Sequence, residues 1–192
     1  MRKVFIDLGA GSGDDIKGYY NLYPGNKLHE IYAFEPNPRR TIGIAERYPA
    51  AHVYTAAAGV EDTTSKLYLG NSLNTNSLNI NKVSVNKNNY IDVRVIDICK
   101  WMKNNFSYDD YITMVIDIEG GEYEVLQAMY DQQLWEWVDQ LYVEFHGEKL
   151  ANFDIEIENT LVDKLIDFYG DRVYIYRKHQ HQQFLKLNAE GS

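Results

Sequence analysis

The stretch Val4–Gly13, VFIDLGAGSG, decides the fold. Val4, Phe5, Ile6 and Leu8 form an apolar run of strand length that carries a single acid, Asp7, and then breaks into Gly9, Gly11 and Gly13. An apolar run closed by glycines reads as a buried strand entering a tight loop. Glycines at alternate positions let the main chain take dihedrals closed to other residues and let a ligand approach the peptide itself. A loop of this kind, followed by a helix, is a cradle for a nucleotide-like cofactor.

The segments that follow fit this start. Asp14 and Asp15 open a helix through Ile16, Tyr19, Tyr20 and Leu22, which Pro24-Gly25 stops. Ile31–Phe34 is a second strand ending at Glu35-Pro36-Asn37-Pro38, and the second proline opens a helix to about Tyr48. Val53–Val60, VYTAAAGV, reads as a third strand. Strand, helix, strand, helix, strand predicts an α/β fold with a doubly wound, mostly parallel sheet.

The rhythm then changes. Ser65–Leu69 is a short strand, and residues 70–89 hold eight asparagines. Asparagine tolerates left-handed turns and competes for backbone hydrogen bonds, so this is a loop or irregular hairpin, either a solvated excursion or a lid over the site. Tyr90–Ile96 alternates as a half-exposed antiparallel strand, and Asp97 caps a helix from Ile98 to about Asn105. Tyr111–Ile118, almost wholly apolar, is the central buried strand, and a helix carrying Val125, Leu126, Met129 and Leu134 follows it. Leu141–Phe145 is a strand, Ile157–Tyr169 an amphipathic helix, and 173–177 with 184–187 an antiparallel terminal hairpin. One domain over 1–187 and a frayed tail over 188–192 follow from the length and the polar end.

Composition excludes several function classes. A net charge of -9 repels a phosphate backbone, so nucleic acid is disfavoured as a partner. Cys99 is the only cysteine, which rules out an intramolecular disulfide, argues against a cysteine-built zinc site and suits a reducing cytoplasm. The first residues are too short an apolar run for a secretion signal, and no run approaches a membrane span.

The chemistry starts from the glycine loop and Glu35. At the end of the second strand of a parallel sheet, Glu35 lies beside the loop and can accept both hydroxyls of a ribose. A dinucleotide would set its pyrophosphate against Asp14 and Asp15, a repulsion on the order of several kcal/mol at intermediate dielectric. S-adenosylmethionine has no phosphate and carries a sulfonium and an ammonium group, so the acids around the loop favour it over NAD. Further on, Asp117 and Glu119 share parity along one strand, as do Glu144 and His146 on the next. If those strands are neighbours, the four groups converge at the carboxyl edge of the sheet, the usual ligand crevice.

The set DLGAGSG, AFEPNP, TAAAGV and VIDIEGGEYEVL resembles the class I S-adenosylmethionine-dependent methyltransferases, and specifically the FkbM family, over about Val4–Phe145. The resemblance implies that Asp7, Gly9, Ala10 and Gly11 wrap the methionine part of S-adenosylmethionine, that Glu35 holds its ribose, and that Ala57 and Ala58 lie near the adenine. Gly11 stands where many members have Asn. The resemblance also implies O-methylation of a hydroxyl on a sugar or glycan, with a small secondary metabolite or an amine as the alternative acceptor. From a different class, a noncatalytic module retaining the cofactor fold is the competing reading. Asp117 is expected near the transferred methyl, Glu119 as the hydroxyl contact or base, and His146 as a base at neutral pH. Glu122 reads as a cap or salt link. Asp117, Glu119, Glu144 and His146 are also ligand types that Mg²⁺ or Mn²⁺ accepts, but no compact metal-spacing motif is present, and the reading assigns no metal. His179 and His181 read as solvent-facing.

Overall fold

The computed structural model describes residues 1–23, 29–70 and 75–176. Strand β1 (Lys3–Leu8) is buried from Val4 onward because its side chains alternate between two core layers. Val4, Ile6 and Leu8 enter the larger layer, and Phe5 enters the smaller one with Ile16, Tyr19, Ile31 and Ile44. A strand buried on both faces belongs at the centre of a parallel sheet covered by helices on either side.

The helices and strands that follow are α1 (Asp14–Leu22), β2 (Glu30–Phe34), α2 (Pro38–Arg47), β3 (His52–Tyr54), β4 (Ala57–Gly59), β5 (Thr63–Gly70) and β6 (Val85–Asp97). They continue with α3 (Ile98–Asn105), β7 (Tyr111–Ile116), α4 (Glu122–Asp131), β8 (Gln140–Glu144), α5 (Ile155–Tyr169) and β9 (Val173–Tyr176). Six strands form one sheet in the order β3-β2-β1-β7-β8-β9, every pair parallel. The chain winds outward in one direction from β1 to β3 and in the other from β7 to β9. That reversal beside β1 is the topological switch at which such sheets bind ligands. The fold is α/β and Rossmann-like.

Local chemistry accounts for the helix starts. Asn37 caps α2 by accepting from the amide of Arg39, with Pro38 in the first turn, where its missing amide costs nothing. Asp97 caps α3 through the amide of Lys100, as the sequence predicts. Helix α4 ends at Asp131, because Gln133 takes a left-handed φ of 60°, and Leu134 belongs to a separate short 3-10 turn instead of the same helix.

The expected third strand is two strands. His52–Tyr54 joins the main sheet beside β2, while Ala57–Gly59 pairs in parallel with Val95–Asp97 of β6 in a separate three-stranded sheet, β4-β6-β5. The small residues permit the exchange, since a Cβ on Gly59 would run into the side chain of Val95. Strand β6 is antiparallel to β5 as expected, but begins at Val85, five residues before Tyr90. β9 lies parallel to β8. The second arm of the predicted terminal hairpin, His179, His181, the 188–192 tail and the Pro24-Gly25 stop all lie outside the described residues. Among those described, no helix is long and apolar enough to cross a membrane.

At the edge of the sheet away from the glycine loop, Arg2 clamps Asp110 with two hydrogen bonds, 2.9 Å from Nε and 2.7 Å from Nη2, and its carbonyl accepts the amide of Tyr111. The Arg2 guanidinium holds the Asp110 carboxyl at about 2, below its ordinary 3.8. A depressed folded-state value stabilises the fold above the ordinary carboxylate range, and that stabilisation disappears as pH falls through the folded value. Asp110→Asn is therefore expected to flatten the loss of stability between about pH 4 and pH 2, read from urea unfolding at each pH.

Candidate functional site

The carboxyl ends of β1, β2 and β7 meet at the site. Beyond β1 the chain turns at once, and the amides of Gly9 and Ala10 both donate to the carbonyl of Phe34, each at 2.9 Å. Gly9 has a φ of 95°, and a Cβ there would land on the carbonyl oxygen of Asp117, so only glycine serves at this crossing. Glu35, nearly buried, closes the loop from the other side. Its Oε2 accepts the amide of Gly11 at 3.0 Å, and its Oε1 accepts the amide of Asn37 at 2.7 Å. Burial raises the Glu35 carboxyl, while those two amides and Arg40, 3.9 Å away, pull it back down.

A cavity of about 1270 Å³ opens above this loop. Gly9, Ala10, Gly11 and Glu35 line it on the loop side, Ala57 and Ala58 of β4 on another, and Asp117 and Glu119 beyond β7. Asp7 is not on the wall. It is fully buried beneath the loop, and neither of its carboxylate oxygens has a hydrogen-bond partner. Burial first, then the charges of Asp15, Asp117, Glu35 and Asp14, raise its carboxyl well above the ordinary range. An excess of acid packed under a cavity is complementary to a cationic ligand.

The second half of the site is built by turns rather than by strand parity. β7 and β8 are neighbours, as the sequence argument required, but the strands end at Ile116 and Glu144. The chain then turns through Glu119 at φ 57° and Gly120 at φ 112°. This turn brings Asp117 and Glu119 against His146, whose ring is fully buried and does not line the cavity. Its Nδ1 lies 2.5 Å from Oε1 of Glu122, while its Nε2 lies 3.1 Å from Glu144, 3.3 Å from Glu119 and 3.5 Å from Asp117. Burial works against a charged ring, but Glu122, Glu144 and Asp117 outweigh it and lift His146 to about 10. At neutral pH such a ring carries its proton, so it is poorly suited to the base role expected from the sequence.

Sequence reasoning passed over several residues here. Lys82, whose ammonium group is fully buried, lies 2.5 Å from Oε2 of Glu119 and donates to the carbonyl of Thr75 at 3.0 Å. Lys149 stands 3.6 Å from Glu119 and 3.8 Å from Glu144. Ser77 donates its hydroxyl to the carbonyl of Glu119 at 2.6 Å, and Asn76, Ser77, Asn79 and Asn81 line the cavity. The described part of the Asn-rich segment is therefore a wall of the site. It is stitched to the chain beyond β8 by Val83 N–H to Lys149 and Ala151 N–H to Asn81. Glu122, read as a cap or salt link, is fully buried, accepts the Gly120 amide at 2.6 Å and holds His146.

A family model described as "Methyltransferase FkbM domain" matches residues 7–176. The crystal structure of methyltransferase FkbM from Methylobacillus flagellatus KT superposes with a TM-score of 0.50 at 16% identity, covering 84% of this chain and 37% of that one. At that identity the likeness is one of fold, and this chain spans little more than a third of that protein's length. No curated protein sequence matches significantly.

The Gly9 crossing yields a direct test. Gly9→Ala is expected to destabilise the chain by at least about 2 kcal/mol, from combined backbone strain and collision with a backbone oxygen. Gly170→Ala, at φ 58° with nothing within 4 Å, is expected to cost less. Paired urea unfolding curves check the order.

Proposed function

Since the chain belongs to the FkbM methyltransferase family, we propose that it is an S-adenosylmethionine-dependent O-methyltransferase acting on a hydroxyl of a sugar or glycan in the cytoplasm. The observation that carries this reading is a single cavity whose wall runs from the glycine loop and Glu35 to Asp117 and Glu119. The residues fit the cofactor. The buried, unpartnered carboxyl of Asp7 and the acids around it favour a cation. Glu35 is already aimed by two amides to accept ribose hydroxyls, and Ala57 and Ala58 present small side chains for an adenine to pack on. When bound, S-adenosylmethionine supplies an electrophilic methyl on a sulfonium.

The chain's own residues do the rest. Methyl transfer to an alcohol is an in-line displacement, so holding the acceptor oxygen in line provides most of the rate. Asp117 and Glu119 are the wall carboxylates placed to hold the acceptor hydroxyl, and one of them takes its proton as the new bond forms. His146, behind them and protonated, orients both carboxylates through contacts of 3.3 and 3.5 Å instead of acting as the base. The amides and hydroxyl of Asn76, Ser77, Asn79 and Asn81 offer uncharged donors and acceptors to a polyhydroxyl acceptor. The net charge of -9 sets nucleic acid apart from the acceptors considered.

Calorimetry with S-adenosylmethionine and a radiolabelled methyl-transfer screen over nucleotide sugars, glycans, small alcohols and amines test this reading. Glu35→Ala is expected to weaken cofactor binding at least about tenfold, a loss of charge-assisted hydrogen bonds. Glu119→Gln is expected to lower kcat by about 100-fold or more with cofactor affinity nearly unchanged. Absence of cofactor binding overturns the proposal, and binding without turnover on any acceptor points to the noncatalytic module.

A further inference from the structure

Behind the cavity wall, the surroundings of His146 fit a second role beyond orienting the wall carboxylates. Its ring is fully buried, and Nδ1 is tied to the fully buried Glu122, whose other oxygen takes the Gly120 amide. A carboxylate on Nδ1 holds one ring proton there, so an ion binding at Nε2 displaces the second proton to solvent and meets the ring in the orientation of a metal-bound histidine backed by a carboxylate. Nε2 faces Oε1 of Glu144, Oε2 of Glu119 and Oδ1 of Asp117 at 3.1, 3.3 and 3.5 Å, yet makes no hydrogen bond of acceptable geometry with any of them. Those separations match donors sharing one ion. Ligands about 2.0–2.2 Å from a common centre lie roughly 3.0–3.6 Å apart, whether the geometry is octahedral or tetrahedral. One donor atom each from Asp117, Glu119 and His146 falls within 4.8 Å of the others.

The charges agree with the distances. Asp117, Glu119, Glu122 and Glu144 bring four negative charges to the cluster, and Lys82 and Lys149 return two positive ones. Once the ion has displaced the Nε2 proton, two negative charges remain, the complement of one divalent ion. The donors are carboxylate oxygens and one imidazole nitrogen, with no thiolate, which suits Mn²⁺ better than a soft metal.

We propose that Asp117, Glu119 and Nε2 of His146 form a site for one divalent cation of the Mn²⁺ class, with Glu144 as a neighbouring charge and Glu122 as the outer carboxylate that orients the histidine. The ion sits behind the cavity wall and ties the two wall carboxylates, Asp117 and Glu119, to the end of β8. The site does not depend on the identity of the methyl acceptor, and its test reads metal uptake, so its failure leaves the methyl-transfer reading standing.

The experiment titrates the purified full chain with Mn²⁺ alone, following the free-ion electron paramagnetic resonance signal, with thermal unfolding in parallel. One ion per chain is expected, together with a rise in Tm. Asp117→Asn should weaken uptake at least about tenfold, Glu144→Gln by less, and Glu122→Gln by about 10–100-fold. Circular dichroism checks that each variant is folded. If Glu144→Gln does not fold, Asp117→Asn, a half-buried residue on the cavity wall, decides the matter. No uptake by the folded wild-type chain at millimolar Mn²⁺, or uptake unchanged in folded Asp117→Asn, overturns the proposal.

Discussion

The crossing of Gly9 with Asp117 is the constraint on which the rest of the site depends. β1 and β7 lie side by side in parallel, the Asp117 amide donates to the carbonyl of Leu8 at 2.9 Å, and the Gly9 backbone passes against the Asp117 carbonyl with no room for a side chain. Two loops with different tasks are thereby fixed to each other at one point. In the proposed function the glycine loop is the cofactor side and the turn from Asp117 to Gly121 the reacting side. Because both leave adjacent central strands, their separation is set by the sheet. Relative placement of two reactants is what an in-line transfer needs, since small misplacements at the reacting atoms cost large factors in rate.

Charge is the second organising feature, and it is handled differently on the two sides of that crossing. Under the glycine loop, Asp7 is buried without a hydrogen-bond partner and is raised by its acidic neighbours. Burial and neighbouring acids disfavour the charged form of such a carboxyl, and positive charge arriving in the cavity favours it. Beyond β7 the acids are compensated from within the chain by Lys82, Lys149 and the ring of His146. Removing one member of a buried set of this kind leaves the others uncompensated, typically at about 3–5 kcal/mol. The loop side is thus left open to a cationic ligand, while on the second side the basic groups offset part of the acidic charge and hold the carboxylates in fixed positions.

How much of this was legible in the sequence follows from the range of each interaction. β1, the glycine loop, β2 and Glu35 are adjacent along the chain, and local apolar runs with glycine and proline punctuation suffice to place them. VYTAAAGV reads as one strand because its apolar character is continuous. Its division between two sheets depends on the fit of Gly59 against Val95, thirty-six residues later in the sequence. The convergence of Asp117, Glu119, Glu144 and His146 was within reach, since it required only that β7 and β8 be neighbours. The state of His146 was not. A histidine after a strand carries no sign that four carboxylates will surround it, and Lys82 in an Asn-rich stretch has the composition of a solvated residue.

Lys82 shows why the Asn-rich segment is tied down where a solvated excursion would be free to move. Burying an ammonium group is unfavourable unless an acceptor meets it, and Glu119 and the Thr75 carbonyl both do. That pairing is strong only while the segment stays in place, supported by the Ser77 hydroxyl on the Glu119 carbonyl and by the backbone bonds of Asn81 and Val83 to the chain after β8. Glu119 is accordingly held at its carboxylate by the same segment that holds its backbone. A wall built this way couples the shape of the acceptor side of the cavity to the charge state of one carboxylate. Any ligand that competes for Glu119 must also compete with Lys82, so the segment both bounds the site and sets how readily its carboxylate can be engaged.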